Sequence, residues 1–449
     1  MRFGSLVVLL ALALGCGGSS PVGKIRFAPT KPVWRVDDRA KVDATPAARP
    51  FYIALYKLDG AMARRATRAM ELRPVKPVRD VNSLDEVSDS TWFTNRIGAR
   101  ELTLDELKRG PNMDEDPFDH RPWTITGAKV GGKSLGFTFE DGLKRKFLLK
   151  FDMKDFPELE TGAHIIGHRL LWALGFNVPE DRISFVHRAD LVIGDKARNK
   201  GFDEAKLDDA LKLVYHRDDG SIRVLTSMFV PGKPLGAYAR EGVRSGDPND
   251  VIPHEQRRSL RGQYPIFAWL AHTDMKEDNT LDTFHNGYVT HYLIDFGKAL
   301  GVQATTSGNA ASGHRFEYDL LEAMKDLFEL GFRTHPWEGM QQPKLRGIGF
   351  YDVEHYDPGT WRSALPYWPH LDKDNHDAFW GAKLLMRFKP HELAAIVEEA
   401  KFTDPRAAKY MIDTLLYRQR KTGRYWFDRV APLDAFAIET PADKPMLCF

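Results

Sequence analysis

Two polar clusters at a fixed interval constrain this chain more than any other feature: His272-Thr273-Asp274-Met275-Lys276-Glu277-Asp278-Asn279, and then Leu293-Ile294-Asp295-Phe296-Gly297. From Asp274 to Asp295 the interval is 295 − 274 = 21 residues, room for a short strand, a turn and a second strand. A hairpin of that length returns the chain to where it started and sets the two clusters face to face. Joined that way, the clusters would bring Asp274, Lys276, Asn279 and Asp295 to one place.

In that order and spacing the clusters resemble the catalytic and metal-binding loops of the protein-kinase-like fold. There an H-x-D-x-K-x-x-N loop supplies a catalytic Asp, a Lys beside the transferred phosphoryl group and a metal-binding Asn, and D-F-G supplies the main metal carboxylate. The resemblance implies an α+β, bilobal protein-kinase-like fold, with a small β-rich N-lobe and a mostly helical C-lobe. It implies that Asp274 accepts or orients the proton of an acceptor hydroxyl and that Lys276 meets the transferred phosphoryl. Asn279 and Asp295 would hold a divalent metal, and such hard oxygen donors suit Mg²⁺ or Mn²⁺ rather than Zn²⁺. ATP or another nucleotide is then the expected donor. His272 supports the loop rather than the chemistry.

Upstream, the pattern is one of strands and turns from Trp123. Gly131-Gly132-Lys133-Ser134-Leu135-Gly136 precedes two strands, expected over 135–140 and 145–151 around Asp141-Gly142. Gly131, Gly132 and Gly136 could let backbone approach phosphates closely, or could simply form a turn. Lys150 is the one charge within the apolar run Phe147-Leu148-Leu149-Lys150-Phe151, so its ammonium must reach water or an anion. In the kinase-like reading that anion is the nucleotide's α- and β-phosphates. A helix follows to about Leu174, ended by Gly175 and then Pro179. Its first turn carries Glu160, the expected carboxylate partner of Lys150, with Glu158 just before it as the other candidate; alignment with HipA-like kinases puts the acid nearer His164. A strand over 222–230 ends at Pro231-Gly232, and there the backbone of Phe229 and Val230 would meet an adenine edge. The resemblance runs from about Trp123 to Gly301 and is nearest to the atypical kinases around phosphatidylinositol kinases and HipA-like kinases. No Ala-Pro-Glu follows Gly301, so a peptide acceptor is not implied.

Bulk composition excludes little. With 449 residues, 43% hydrophobic and 28% charged, the chain can bury a core, and a net charge of +2 gives no bias toward nucleic acid. Two cysteines, Cys16 and Cys448, rule out a disulfide framework. Cys16 follows Arg2, the short apolar run 6–14 and a small residue, Gly15. That pattern resembles a bacterial lipoprotein signal cut before an acylated Cys16, which implies a lipid-anchored, extracytoplasmic protein of the cell envelope touching the membrane through its anchor alone. The expected divisions are a signal peptide at 1–16, a flexible tether at 17–50, an accessory segment at 51–120, the N-lobe at 121–232 and the helical C-lobe at 233–449. In the accessory segment a helix is expected over 59–72, and the run from Asp85 to Phe93 reads as exposed. The histidines after 284 lack the spacing of a zinc site. The function expected is an envelope-anchored kinase-like phosphotransferase acting on a protein, lipid or small-molecule acceptor. The alternatives are a catalytically silent nucleotide- or ligand-binding module, suggested by the scarcity of ATP outside the cytoplasm, and a structural envelope lipoprotein.

Overall fold

The structure, a computed structural model, describes residues 37–71, 75–82, 85–129, 134–303, 308–330, 332–431, 437–439 and 444–448. Cys16, Gly131 and Gly132 lie outside the described residues. The fold is α+β, with a β-rich first lobe and a mostly helical second one. The first lobe is a six-stranded sheet of β1 (Trp123–Ala128), β2 (Gly136–Glu140), β3 (Lys146–Phe151), β4 (Asp181–Val186), β5 (Leu191–Ile193) and β6 (Ile222–Met228), in the order β4-β6-β3-β2-β1-β5. All neighbours are antiparallel except β1 and β5. The sequence pattern marks β1, β2, β3 and β6 but not β4, which opens on Asp181 and Arg182, nor β5, which is three residues long.

Period-two alternation explains how β3 serves two masters. Phe147, Leu149 and Phe151 enter the sheet's own core with Trp123, Phe137 and Phe139, while Leu148 and Lys150 face the other way, onto the cleft between the lobes. A second, larger core fills the helical lobe and includes the helix Leu159–Ala173, buried along nearly its whole length. That helix ends at Gly175, whose φ of +113° belongs to glycine and whose missing side chain leaves room for Phe93. A Cβ there would come within 2.2 Å of the Phe93 ring and 2.7 Å of the Thr94 carbonyl oxygen. Gly175→Ala should therefore lower stability by about 3 kcal/mol, read as a lower urea midpoint at unchanged slope.

In the helical lobe, β7 (Lys233–Gly236), β8 (Thr280–His285) and β9 (Tyr288–Leu293) form a small antiparallel sheet. The β8–β9 hairpin occupies the interval between the two polar clusters. Helices Gln263–Trp269, Asn375–Leu385, Pro390–Glu398 and Pro405–Phe427 pack on one another in the same lobe. The helix expected at 59–72 begins earlier, as Ile53–Leu58, passes through a π-helical turn at Asp59–Ala63 and ends as Arg64–Ala69.

The N-terminal stretch is bound more closely than its composition suggests. Residues 37–50, read as the end of a tether, dock on the helical lobe: the Val42 N–H donates to the Gly287 carbonyl at 2.7 Å and the Arg49 N–H to Leu235 at 2.8 Å. The run from Asp85 to Phe93, read as exposed, is buried at Val87, Thr91, Trp92 and Phe93. Trp92 stacks on His291 with 3.5 Å between ring centres, and Phe93 packs edge-on to Trp380. Large aromatics bury enough apolar area to outweigh the polar residues strung around them.

Candidate active site

The first polar loop is aimed by the helix Gln263–Trp269. That helix stops at Ala271, in the left-handed region at φ +45°, and the His272 N–H turns back to the Phe267 carbonyl at 2.9 Å. His272 stacks on Phe267 and meets Phe296 edge-on. Burial pushes its imidazole down to about 4, so it is a neutral packing residue beneath the loop. The loop then closes on itself: the Asn279 Nδ2 donates to the Asp274 carbonyl at 2.8 Å and to Asp274 Oδ2 at 3.0 Å. The second loop is fastened to it by the Ile294 N–H donating to Asn279 O at 3.0 Å. Asp295 itself adopts φ +61°, a local strain of the kind that collects at functional sites.

Lys150 meets this second loop. Its Nζ lies 2.5 Å from Asp295 Oδ1. The lysine is 2% exposed and the aspartate 36%, so the pair is anchored at the strand and open at the carboxylate. Burial alone would lower the Lys150 ammonium, but Asp295 and Glu160 hold it above its usual value. Burial alone would raise the Asp295 carboxyl, and Lys150 holds it well below the usual range.

Glu160, the expected partner of Lys150, is not its ion-pair partner here. Its Oε1 accepts from Ser134 Oγ at 2.8 Å, its Oε2 is buried with no hydrogen-bond partner among the described residues, and burial pushes it up to about 7 against the pull of Lys150. Asp295, 36% exposed at its side chain, carries a charge at less desolvation cost than Glu160, which is buried. Glu158 is further removed: at φ +64° it caps the helix and accepts from the Thr403 N–H and Oγ1 at 3.0 and 2.7 Å. His164, also on this helix, has Nε2 2.7 Å from Asp181 Oδ2 on β4 and borders the cleft.

Around Asp274 the charges are dense. Asp274 Oδ2 has Lys298 Nζ at 3.2 Å and Lys276 Nζ at 3.8 Å, while Lys276 is nearer to Asp278 Oδ2, at 3.1 Å. All these groups line one cleft of about 2050 Å³, with Lys150, Glu160, Phe229, Val230, Asn279 and Asp295. The Phe229 amide is already spent on the Lys146 carbonyl at 2.9 Å, so an adenine edge would have to use its carbonyl and the Val230 backbone. Gly136 does not border the cleft. It pairs with Lys150 across the sheet, and a Cβ there would come within 2.5 Å of the Leu149 carbonyl oxygen, so its bareness serves strand packing.

The sequence reading passed over Lys129, Ser134 and Lys298. Lys129 borders the cleft, and burial and then Lys150 lower its ammonium. Lys298 was findable: it is a lone charge between Phe296-Gly297 and Ala299-Leu300. Ser134 carried no signal, because its partner Glu160 is 26 residues away.

Among the described residues no group of three or more His, Cys, Asp or Glu could by itself hold a metal ion. A magnesium-type centre shared with phosphate oxygens and water needs only one or two protein ligands, so it does not call for a group of that size. Asp295, with its carboxylate open to the cleft, and the side-chain oxygen of Asn279 are hard donors of the right kind.

No protein-family model matches the chain, and no curated protein matches it. Among solved structures, it is similar to the proinflammatory kinase CtkA of Helicobacter pylori at a TM-score of 0.35 and 10% identity, over 68% of this chain and 97% of that one. It is similar to the Golgi casein kinase with Mn/ADP bound at a TM-score of 0.36 and 9% identity, over 76% and 83%. A further structure of the Golgi casein kinase gives 0.35 and 10%, over 87% and 93%. Likeness of this size says nothing of substrate or activity; the chain's own geometry has to do so.

Proposed function

We propose that this chain is a kinase-like phosphotransferase that binds a nucleotide with a divalent metal between its lobes and moves the terminal phosphoryl group to an acceptor hydroxyl. The observation that supports it best is the meeting of Lys150 from β3 with Asp295, 2.5 Å apart, in the cleft that also holds Asp274, Lys276 and Asn279. Phosphoryl transfer asks a protein mainly for positioning and charge neutralisation, and this set offers both. Lys150, fixed on a buried strand, would hold the non-transferred phosphates. Asp295 and Asn279 would hold the metal, which neutralises phosphate charge when bound. Asp274 has Oδ2 committed to Asn279 and the lysines, which leaves Oδ1 to orient the acceptor hydroxyl and take its proton. The test is incubation of the purified protein with labelled ATP and Mg²⁺ or Mn²⁺, followed by a search for transfer and hydrolysis. Protein that neither transfers nor hydrolyses would end the enzyme reading.

A binding module without chemistry is the second reading. It is favoured by one observation: Asp274, the acid that would take the acceptor's proton, already has Lys298 at 3.2 Å and Lys276 at 3.8 Å from its Oδ2. Binding of ATP and Mg²⁺ in a thermal-shift titration, with no turnover, is what that reading expects.

The place of action follows from Cys16. Acylation there would tether the protein to a membrane of the bacterial cell envelope, outside the cytoplasm; among the described residues no helix is long and apolar enough to cross a membrane. A fatty-acid analogue fed to expressing cells should label the wild type and not Cys16→Ala. Equal labelling of both would exclude the anchor.

A further inference from the structure

We propose that Lys298 is a catalytic residue, the cation that leaves the Asp274 carboxylate to meet the transferred phosphoryl group; the inference rests on the phosphotransferase reading. Its position is set by a tight turn. The Ala299 N–H donates to the Phe296 carbonyl at 3.0 Å, and the Leu300 N–H continues to Leu270 at 2.7 Å. Phe296, Ala299 and Leu300 are buried. Gly297 has no side chain, and a Cβ on it would come within 2.9 Å of Glu160. Of the four residues in this turn, only Lys298 sends a side chain into the cleft.

The two lysines beside Asp274 differ in how they are held. Lys276 is divided between Asp278, at 3.1 Å, and Asp274, at 3.8 Å. Lys298 has one carboxylate within ion-pair distance among the described residues, Asp274 Oδ2 at 3.2 Å, and its side chain is 29% exposed. It is therefore the ammonium with least to lose by moving. When it moves, Asp274 keeps Asn279 Nδ2 at 3.0 Å and Lys276, so the carboxylate is not stranded. In the transfer, the acceptor oxygen bonds to the terminal phosphorus and the bond from that phosphorus to the bridging oxygen breaks. The nucleoside diphosphate leaves with the electron pair, and the hydroxyl proton passes to Asp274 Oδ1. Lys298 meets the negative charge on the transferring group, and a contact of that kind counts most in the transition state.

The experiment compares full-length wild type with Lys298→Met and Lys298→Arg, using labelled ATP with Mg²⁺ and, separately, calorimetric binding of ADP alone and of ADP with aluminium fluoride. Lys298→Met should lower turnover by about 10² to 10³ while KM for ATP moves by less than about threefold. Lys298→Arg should recover part of the loss, because it restores the charge. ADP should bind the Met variant about as well as wild type, while ADP with aluminium fluoride, a mimic of the transferring group, should bind it about 10²-fold more weakly. A merely structural role would weaken both nucleotides together and would not be rescued by Arg. A folded Lys298→Met with wild-type turnover and wild-type binding of the fluoride complex overturns the assignment of Lys298 alone. A wild type that binds nucleotide without any turnover overturns the phosphotransferase reading and the catalytic role of Lys298 with it, and the inactive wild type tells the two failures apart.

Discussion

Asp295→Ala abolishes metal-dependent nucleotide binding and leaves a folded protein: this is the largest binding effect we expect. In the phosphotransferase reading the Asp295 carboxylate is the charged donor to the metal, and Asn279 alone would be a neutral ligand unable to hold a divalent cation against water. Folding survives because Asp295 is a loop residue, 36% exposed on its side chain, and because a second acid stands beside the lysine it leaves. Glu160, pushed up to about 7 by burial in the intact protein, would ionise more readily with Asp295 gone and take over part of the charge of Lys150. A thermal-shift titration with ATP, with and without Mg²⁺, gives the result directly. Equal Mg²⁺-dependent shifts in wild type and a folded variant would remove Asp295 from the metal. Lys150→Ala, by contrast, should weaken nucleotide binding whether or not metal is present.

Asp274→Asn is expected to lower turnover by about 10² to 10⁴ while nucleotide affinity stays nearly unchanged. The substitution keeps shape and removes the basic oxygen. The Asn279 Nδ2 that donates to the Asp274 backbone carbonyl at 2.8 Å keeps that bond, so the loop retains its form. A residue that acts only on the acceptor hydroxyl contributes to the transition state and little to the bound nucleotide. Initial rates with labelled ATP, beside calorimetric affinity, separate the two quantities. If wild type and variant show the same low activity, the protein is a binding module.

How much of this was visible in the sequence depends on whether a contact is local. The two loops were legible because a hairpin of fixed length joins them, and β8 and β9 fill that interval. Lys150 was legible as a lone charge on an apolar strand. Its partner was not, because the choice between Glu160 and Asp295 turns on burial that only the assembled lobes create. Gly136 looked like a phosphate contact because glycine beside a strand has two uses, and here strand packing claimed it. The docking of residues 37–50 was hidden by a composition rich in proline and charge. That stretch folds on borrowed surface, through backbone bonds to Gly287 and Leu235, and residue preferences alone do not register such bonds.

The route of the N-terminal chain has a mechanical consequence. Tension applied before Asp37 would load the contacts of residues 38–42 first: the Asp38 carboxylate on Thr91, the Arg39 guanidinium on the Ser90 carbonyl, the Ala40 carbonyl on Asn249 and the Val42 amide on Gly287. Gly287 is the turn of the β8–β9 hairpin, whose opposite end carries Asn279 and Asp295. A pull there enters the hairpin at its turn, and none of these contacts is made by the six-stranded sheet. Held by its N-terminus, the molecule would yield at the loops before it yielded at the lobe that carries Lys150.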